Sequence, residues 1–469
     1  MLAGWCYPLC PPSLASPCKD VSMIALLHYP LQVTKAFRQS IAYLPSLLAL
    51  AYFLVGLLAV VPHEGFISMP GWLDFVRFND KDTLRTLLST LIAGMISLVV
   101  FSFSMVMSVL SQAGGQFSHK LVFGLVTERH HQWVLGNYLG TILFILMLLM
   151  VPENGGSPGT WRSLAAYLGV AMVIHCLGLF VYFIHKASQT VQVNSVVAGL
   201  HLATSRSLAS LKHRQQSPRY MRMADTIPAA AAASCHRFEI RSRQTGFIQN
   251  ANFAELAKLA ASFDGVIHLN FSPGDFTLAD FPLLYVDAPA EPDRACADEV
   301  LAHLLYGEGE SIEDIHVHGL TQLMEMAVKA LSPGINDPGT ARLCINQLTD
   351  LLRRRLEFAP CNAMVDQHNR VRVTWPVESF ESLIYRVFTP ILHYGQDDVT
   401  IGLSLLKSVK SLSLYAQDSD WRLLQAYADR IIGTLADAAH HRLDRDFISA
   451  RLNSGEHRLE LPDYLDYHE

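Results

Sequence analysis

Long apolar windows and shorter alternating runs divide this chain into two regions. Four windows before residue 190 carry almost no charge, and each is long and apolar enough to cross a bilayer, which takes roughly 20 residues. They cover residues 41–61, 84–110, 133–151 and 164–184. Aromatic residues lie near the window ends, as is usual at membrane interfaces. The pattern predicts an α-helical membrane domain with four transmembrane helices, residues 23–190.

The chain after residue 190 has shorter apolar periods and many charges. Apolar residues spaced by three and four predict that the fourth helix continues into a cytoplasmic helix and linker, residues 191–236. Residues 237–293 are predicted as a small α+β module. It has a helix at 253–263 with Asn252 as its N-cap, and period-two runs that predict strands at 246–249, 266–271 and 283–286.

Residues 294–469 follow mainly the 3.6-residue period of helices. Helices are predicted at 295–305, 319–331, 340–357, 377–392, 399–415 and 421–441, with one strand at 370–375. The region after the membrane domain is therefore predicted to be a mainly helical α+β cytoplasmic domain.

Composition supports a membrane protein with a large polar part. Hydrophobic residues make up 51% of the 469 residues and charged residues 17%, which is too apolar for an ordinary soluble enzyme. The formal net charge of -6 gives no basic surface for nucleic acid, so no nucleic-acid partner is predicted. The eight cysteines are scattered without a CxxC pair, which indicates free thiols in a reducing compartment.

Lysine and arginine positions predict the orientation, because these residues concentrate on the cytoplasmic side. Lys35 and Arg38 precede the first window, Lys120 and Arg129 lie between the second and third, and several basic residues follow the fourth. The loop 152–160 has none. We therefore expect a multipass protein of the bacterial inner membrane with both termini in the cytoplasm. Residues 1–22 lack a signal peptide pattern and are interpreted as a disordered extension or a misassigned start.

Polar side chains recur within the second and fourth windows. Ser97, Ser104 and Ser111 are seven residues apart and Ser108 shares their helix face, while His175 lies near the middle of the fourth window. Two interpretations are open. The hydroxyls and the imidazole pack helices together through hydrogen bonds, or they line a polar or proton-handling pathway, since an ionisable group within a membrane is costly.

The stretch "ALSPGINDPGTA", residues 330–341, predicts a joint between two helices. Pro333 and Gly334 end the first helix. Asp337 occupies the N-cap of the next helix, where its carboxylate meets the positive end of the helix dipole, and Pro338 is its first residue. Asn336 is not needed for capping, so it either braces the turn or faces a ligand or a neighbouring subunit.

Candidate chemistry outside the membrane is sparse. His316 and His318 lie on one side if their stretch is extended, with Glu313 and Asp314 nearby, and imidazole with carboxylate suits zinc or iron. A third ligand is not identifiable, so no cofactor is predicted and the metal site is a weak alternative to surface histidines. The chain has no GxGxxG after a strand, no phosphate loop, no HExxH and no GxSxG, so no enzyme activity is assigned.

Three segments together resemble a known family. They are "ALSPGINDPGTA", "FSFSMVMSVLSQAGGQFSHK" at 101–120, and "TGFIQ" at 245–249 with "SPGDF" at 272–276. They are similar to the bacterial predicted membrane proteins called domain of unknown function 2254. The resemblance covers nearly all of the chain after residue 23 and implies four membrane helices followed by a cytoplasmic domain. It implies no activity and no catalytic residue.

Three functions remain open from the sequence. The first is a homo-oligomeric inner-membrane conduit or gate that its cytoplasmic domain controls, since four short spans need partners to enclose a pathway. The second is a membrane-anchored sensor or scaffold that binds a small molecule or a protein. The third, built on His316 and His318, is a metal-dependent membrane enzyme. The lipid bilayer and further copies of the chain are the expected partners.

Overall fold

The computed structural model describes residues 43–60, 78, 80–116, 129–150, 160–190, 192–223, 236–290, 293–307 and 316–465. The predictions for residues 1–22, the linker 224–235 and the acidic pair Glu313 and Asp314 lie outside the described residues. The chain forms two compact units. One lies within residues 1–108 and 123–186, and the other within residues 109–122 and 187–469.

Four apolar helices form at the predicted windows: α1 (Tyr43–Val60), α2 (Lys81–Gln116), α3 (Arg129–Met150) and α4 (Thr160–Thr190). Three of them contain segments long and apolar enough to cross a membrane, namely Asp82–Val109, His130–Met150 and Arg162–Ala187. The apolar helix Tyr43–Ala59 is shorter. Three of the four predicted spans therefore reach full length in the described part of the chain.

Two glycines on α3 let α1 pack closely against it. A Cβ atom at Gly136 would lie 2.8 Å from Cδ1 of Leu48, and one at Gly140 would lie 2.7 Å from Cγ of Tyr52. The Tyr52 hydroxyl donates to Oδ1 of Asn137 at 2.7 Å. Gly136 and Gly140 thus have the small-xxx-small spacing that brings membrane helices together.

The second unit contains two β-sheets, of six and three strands, together with helices. Its strands are β1 (Tyr220–Met221), β2 (His236–Arg241), β3 (Gly246–Ala251), β4 (Val266–Leu269), β5 (Phe276–Thr277), β6 (Pro282–Ala288), β7 (Leu304–Gly307), β8 (Ala363–Val365) and β9 (Val371–Thr374). One sheet has the order β1-β8-β9-β4-β6-β2 and a second has the order β5-β3-β7. Neighbours are antiparallel except β4 and β9. The sheet core includes the fully buried side chains of Ile267, Leu284, Val286 and Val373.

The helices of this unit are α5 (Val193–Gln215), α6 (Phe253–Ser262), α7 (Arg294–Ala302), α8 (His316–Ala330), α9 (Pro338–Leu356), α10 (Phe380–Tyr394), α11 (Val399–Ser413), α12 (Asp418–Ala438) and α13 (Arg442–Leu452). Helix α8 packs against α5, α9 and α10. A Cβ atom at Gly319 of α8 would overlap the side chain of Thr204 on α5, so this glycine permits the close approach of the two helices.

Several predictions need correction. The fourth membrane helix does not continue without a break, because α4 ends at Thr190 and α5 begins at Val193. The helix predicted at 295–305 ends at Ala302, and β7 follows it. Helix α13 and the short strands β1, β2, β5, β7 and β8 were not predicted. The two predicted modules, 237–293 and 294–469, share one sheet, since β4 pairs with β9.

The joint at residues 330–341 confirms the predicted capping. The Asp337 carboxylate accepts hydrogen bonds from the backbone N–H of Thr340 at 3.1 Å and from its hydroxyl at 2.6 Å, and Pro338 begins α9. Asn336 has a φ of 47°, in the left-handed region that asparagine tolerates better than most residues. Its backbone N–H donates to the carbonyl of Ser332 at 2.9 Å. This conformation explains an asparagine at the turn.

Candidate functional site

The second unit contains a cavity of about 340 Å³ where the sheets meet α5, α8, α9 and α10. Its lining combines aromatic, charged and amide side chains. The residues used below are Arg214, Tyr220, Phe253, Gly274, His316, His318, Thr321, Glu325, Arg355, Trp375, Glu378 and Arg386. A second cavity of about 550 Å³ adjoins it and shares Arg355 and residues 375–378. A cavity of this size with convergent polar groups is typical of a small-molecule site.

Three aromatic rings form one wall of the cavity. Trp375 follows β9, and its ring lies 4.4 Å from that of Phe253 on α6 and 6.1 Å from that of Tyr220 on β1. All three side chains are half-buried. A flat apolar surface of this kind stacks well against a planar ligand ring.

A tight turn at residues 272–275 forms another part of the lining. Ser272 N–H donates to the Asp275 carboxylate at 2.7 Å, and Gly274 N–H donates to the carbonyl of Ile248 at 2.7 Å. Gly274 has a φ of 100°, which glycine adopts without strain. A Cβ atom there would overlap the imidazole of His318. The predicted turn therefore brings the backbone against α8 at the cavity.

Arg355 is the most unusual group of the site. It is only 5% exposed, and its guanidinium donates to two backbone carbonyls, Phe358 at 3.0 Å and Glu378 at 3.3 Å. Among the described residues no carboxylate lies within ion-pair distance of it. Burial lowers the pKa of this guanidinium to about 10, a value at which it is still charged at neutral pH. A buried cation without an adjacent anion is costly.

More distant charges act on Arg355 without contacting it. Asp420 lines the adjoining cavity. Burial raises the pKa of its carboxyl, while the fields of Arg355 and Arg222 lower it. The Glu378 carboxylate is engaged by Arg386 at 2.6 Å. Carboxylates therefore compensate the positive charge of Arg355 only at long range, while the ring of Phe358 lies 5.5 Å from the guanidinium.

His316 is a neutral imidazole at the start of α8. Burial lowers its pKa to about 3, and the positive fields of Arg355 and Arg214, together with His318, act in the same direction. At neutral pH this side chain carries no charge. It offers one donor and one acceptor to whatever occupies the cavity.

The two predicted metal ligands, His316 and His318, both line this cavity, but in the first turn of a helix rather than in an extended stretch. Glu313 and Asp314 lie outside the described residues. Within the described residues no group of three or more His, Cys, Asp or Glu side chains is placed to hold a metal ion. The metal site remains a prediction without a third ligand.

The polar residues predicted within the membrane lie on exposed helix surfaces. Ser97, Ser104, Ser108 and Ser111 are exposed on α2, and the Ser97 hydroxyl donates to the carbonyl of Ala93 in its own helix at 3.0 Å. His175 is exposed on α4, with its ring 6.2 Å from that of Trp133. Among the described residues no hydrogen bond joins His175 to a serine of α2, and both interpretations of these polar groups stay predictions. Asn336 and Asp337 are exposed as well and line neither cavity.

Arg355 was missed from the sequence although a signal was present. Ile345, Leu348 and Leu352 form the buried face of α9, and Arg355 continues their spacing by one step. Its neighbours Arg353 and Arg354 instead pair with Asp350 at 3.2 and 2.7 Å. In a run of three arginines, the one in phase with the apolar stripe is the buried one. The cavity itself forms between residues that are distant in sequence, so no local sequence pattern predicts it.

Comparison with known proteins agrees with this architecture. Uncharacterized proteins of Mycobacterium bovis and of Mycobacterium tuberculosis strain H37Rv are each 23% identical over 348 residues. The match covers 72% of this chain and 65% of each relative's length, so the chain corresponds to somewhat less than two thirds of those proteins. No solved structure matches. The family model described as "Predicted membrane protein (DUF2254)" matches residues 38–411, and the chain therefore belongs to this family of membrane proteins of unknown function.

Proposed function

We propose that this protein is a membrane-anchored receptor whose soluble unit binds a small molecule in the cavity lined by Trp375 and Arg355. The observation that carries the proposal is the buried Arg355 cation without an adjacent carboxylate, beside a cavity of about 340 Å³ with an aromatic wall. The Arg355 guanidinium has five N–H donors and uses two of them on backbone carbonyls, those of Phe358 and Glu378. Open space beside such a charge suits a ligand.

The binding role is tested by filling the cavity. Thr321 lines it from α8, and its hydroxyl donates to the carbonyl of Val317 at 2.9 Å. A matched control is Thr434 of α12, whose hydroxyl bonds in the same way to the carbonyl of Arg430 at 3.1 Å. Full-length protein in mild detergent is screened by thermal shift against small acids, amines, alcohols and amides.

We expect some of these compounds to raise the melting temperature of the wild type and of Thr434→Phe. They should leave Thr321→Phe unchanged. Stabilisation follows from binding to the native state alone and grows with ligand concentration. If no compound stabilises the wild type, or if Thr321→Phe responds as the wild type does, the cavity is not a ligand site.

For the membrane unit we propose four spans in the bacterial inner membrane with both termini in the cytoplasm. The charge pattern of the loops supports this orientation. Helix α1 supports the fourth span, since it packs on α3 between Pro45 and Gly56. Fusions at residue 469 test it. If residue 469 lies in the cytoplasm, a fluorescent protein fused there should be bright and an alkaline phosphatase fused there should be inactive. The opposite pair of results would show that residue 469 lies outside the cytoplasm and would refute the proposed orientation.

A second candidate function, a homo-oligomeric conduit or gate, is favoured by one observation. The hydroxyl face of α2 is exposed in the single chain, so it is open to a neighbouring copy or to a pathway between copies. Liposomes with the reconstituted protein and a trapped pH-sensitive dye test this idea under applied potentials. Flux that falls in Ser104→Leu supports a conduit. Liposomes that stay tight at every pH and potential exclude it.

A further inference from the structure

The chemistry of the cavity narrows the class of ligand that it takes. Resting on the binding role proposed above, we propose that the occupant is a small organic anion with a flat ring, whose carboxylate or phosphate binds Arg355 and whose ring lies against Trp375.

The anionic group follows from the donors that Arg355 leaves unused. A guanidinium has five N–H donors, and the hydrogen bonds within the protein go to the carbonyls of Phe358 and Glu378. Neither carbonyl carries a full charge. A carboxylate or phosphate forms charge-assisted and often bidentate hydrogen bonds with arginine, and it would supply the counter-charge that the site lacks at short range.

The ring follows from the aromatic wall. Trp375 and Phe253 both line the cavity, and their ring centroids lie 4.4 Å apart at an angle of 43°. An aliphatic acid would satisfy Arg355 but leave this surface in contact with water. A planar ring of about six atoms would cover it.

Other lining groups are compatible with one anion. His316 is uncharged at neutral pH and presents no acid to repel it. The Arg386 cation is engaged by Glu378 at 2.6 Å, and the Asp275 carboxylate holds the turn by accepting from Ser272 at 2.7 Å. Glu325 lies about two and a half turns along α8 from His316, on the part of the wall away from the first turn.

The test uses full-length protein in mild detergent and ligand-observed saturation-transfer NMR. Benzoate and phenyl phosphate are the probes, and they distinguish the carboxylate from the phosphate. Benzyl alcohol and benzylamine keep the ring and lose the negative charge, while acetate and inorganic phosphate keep the charge and lose the ring. We expect at least one aromatic anion to bind more tightly than all four comparison compounds.

Substitutions test whether Arg355 is the residue that binds the anionic group. Arg355→Met should weaken binding of the aromatic anion by about tenfold or more, the loss of one charge-assisted hydrogen bond. Arg353→Met, on the same helix but outside the cavity, should bind as the wild type does. Asp420→Asn removes a negative charge near Arg355 and should strengthen binding, a gain that misfolding would not produce.

Three results overturn the inference: the neutral or cationic ring compound binds as tightly as the anions, Arg355→Met retains full affinity, or Asp420→Asn weakens binding. If benzylamine or benzyl alcohol binds at least as tightly as both aromatic anions and Thr321→Phe abolishes that binding, the receptor proposal stands and the anion class is wrong. If no probe binds and no compound stabilises the protein in the thermal-shift screen, both fall.

Discussion

Asp337→Ala should weaken the start of α9 by a predictable amount. In the native structure the carboxylate accepts from the Thr340 N–H and hydroxyl. Losing an N-cap side chain costs about 1 kcal/mol, and the charge adds about 0.3–0.5 kcal/mol at an exposed helix start. We expect a total of about 1–1.5 kcal/mol. For a unit of this size, that corresponds to a fall of about 2–5 °C in the melting temperature.

Asp337→Asn separates the two contributions, because asparagine keeps the acceptor and loses the charge. It should lose only the dipole contribution, about 0.3–0.5 kcal/mol. The hydrogen bonds from Thr340 hold the pKa of the Asp337 carboxyl below its usual range. The charge therefore stabilises the fold above the unfolded pKa, and this contribution disappears as the pH falls through the folded one. In acid the stability of the wild type should therefore approach that of Asp337→Asn, while the difference between the two variants should not change with pH.

The assay combines two measurements on full-length protein. Melting temperature gives the global effect, and hydrogen exchange of the amides at 339–342 gives the local one, since Asp337→Ala frees the first turn of α9. Asp397→Ala is the control, because this residue is exposed and lies one position before the N-cap Asp398. The reasoning is refuted if Asp337→Asn is as destabilised as Asp337→Ala, or if exchange at 339–342 is unchanged in both.

Three further predictions concern single side chains. Asn336→Gly should stay within about 0.5 kcal/mol of the wild type in unfolding free energy. Asn336→Val should lose about 1–2 kcal/mol, because valine is strained in the left-handed conformation of this position. Equal melting temperatures for the two variants would contradict this prediction. Lys410→Met should lower the free energy of unfolding by about 2–3 kcal/mol, because the buried ammonium donates to the carbonyls of residues 451, 452 and 454. The exposed Lys407 lies on the same helix, and Lys407→Met should leave the stability unchanged. Similar losses in both variants would refute this prediction. The folded pKa of His316 is lowered to about 3, so below its usual value near 6.5 only the unfolded chain takes up its proton. Stability should thus fall by about 2 kcal/mol more between pH 7 and pH 5 in the wild type than in His316→Gln, and parallel denaturation curves would exclude this.

Local chemistry explains which parts of this fold could be predicted. The apolar windows and the Asp337-Pro338 start of α9 depend on neighbouring residues alone. Over the residues it describes, the structure has a helix at each window, three of them with a segment long enough to cross a membrane, and it confirms the cap at Asp337. Strands of two or three residues, such as β1 and β8, carry too few positions to show a period. The Gly136 and Gly140 spacing was readable as a packing signal, but its partner, α1, was not identifiable from the pattern.

The candidate site was less predictable because its parts come from distant positions. Tyr220, Phe253, His316, Arg355 and Trp375 meet through the sheet and through helix packing. Only His316 was identified from the sequence, and for a metal role. Arg355 was detectable as a charge in the apolar phase of α9, yet the open space beside it depends on tertiary contacts.

The order of the six-stranded sheet constrains how the second unit can fold while the chain is being translated. Strand β1 pairs with β8, Tyr220 opposite Met364, and β4 pairs with β9, Ile267 opposite Val373. These partners are separated by more than a hundred residues, so closing the sheet has a high entropic cost and is slow. During translation the edge of β4 that pairs with β9 stays unpaired until residue 374 has left the ribosome. An exposed strand edge invites wrong pairing, so chaperone protection matters most for nascent chains that end between residues 290 and 374.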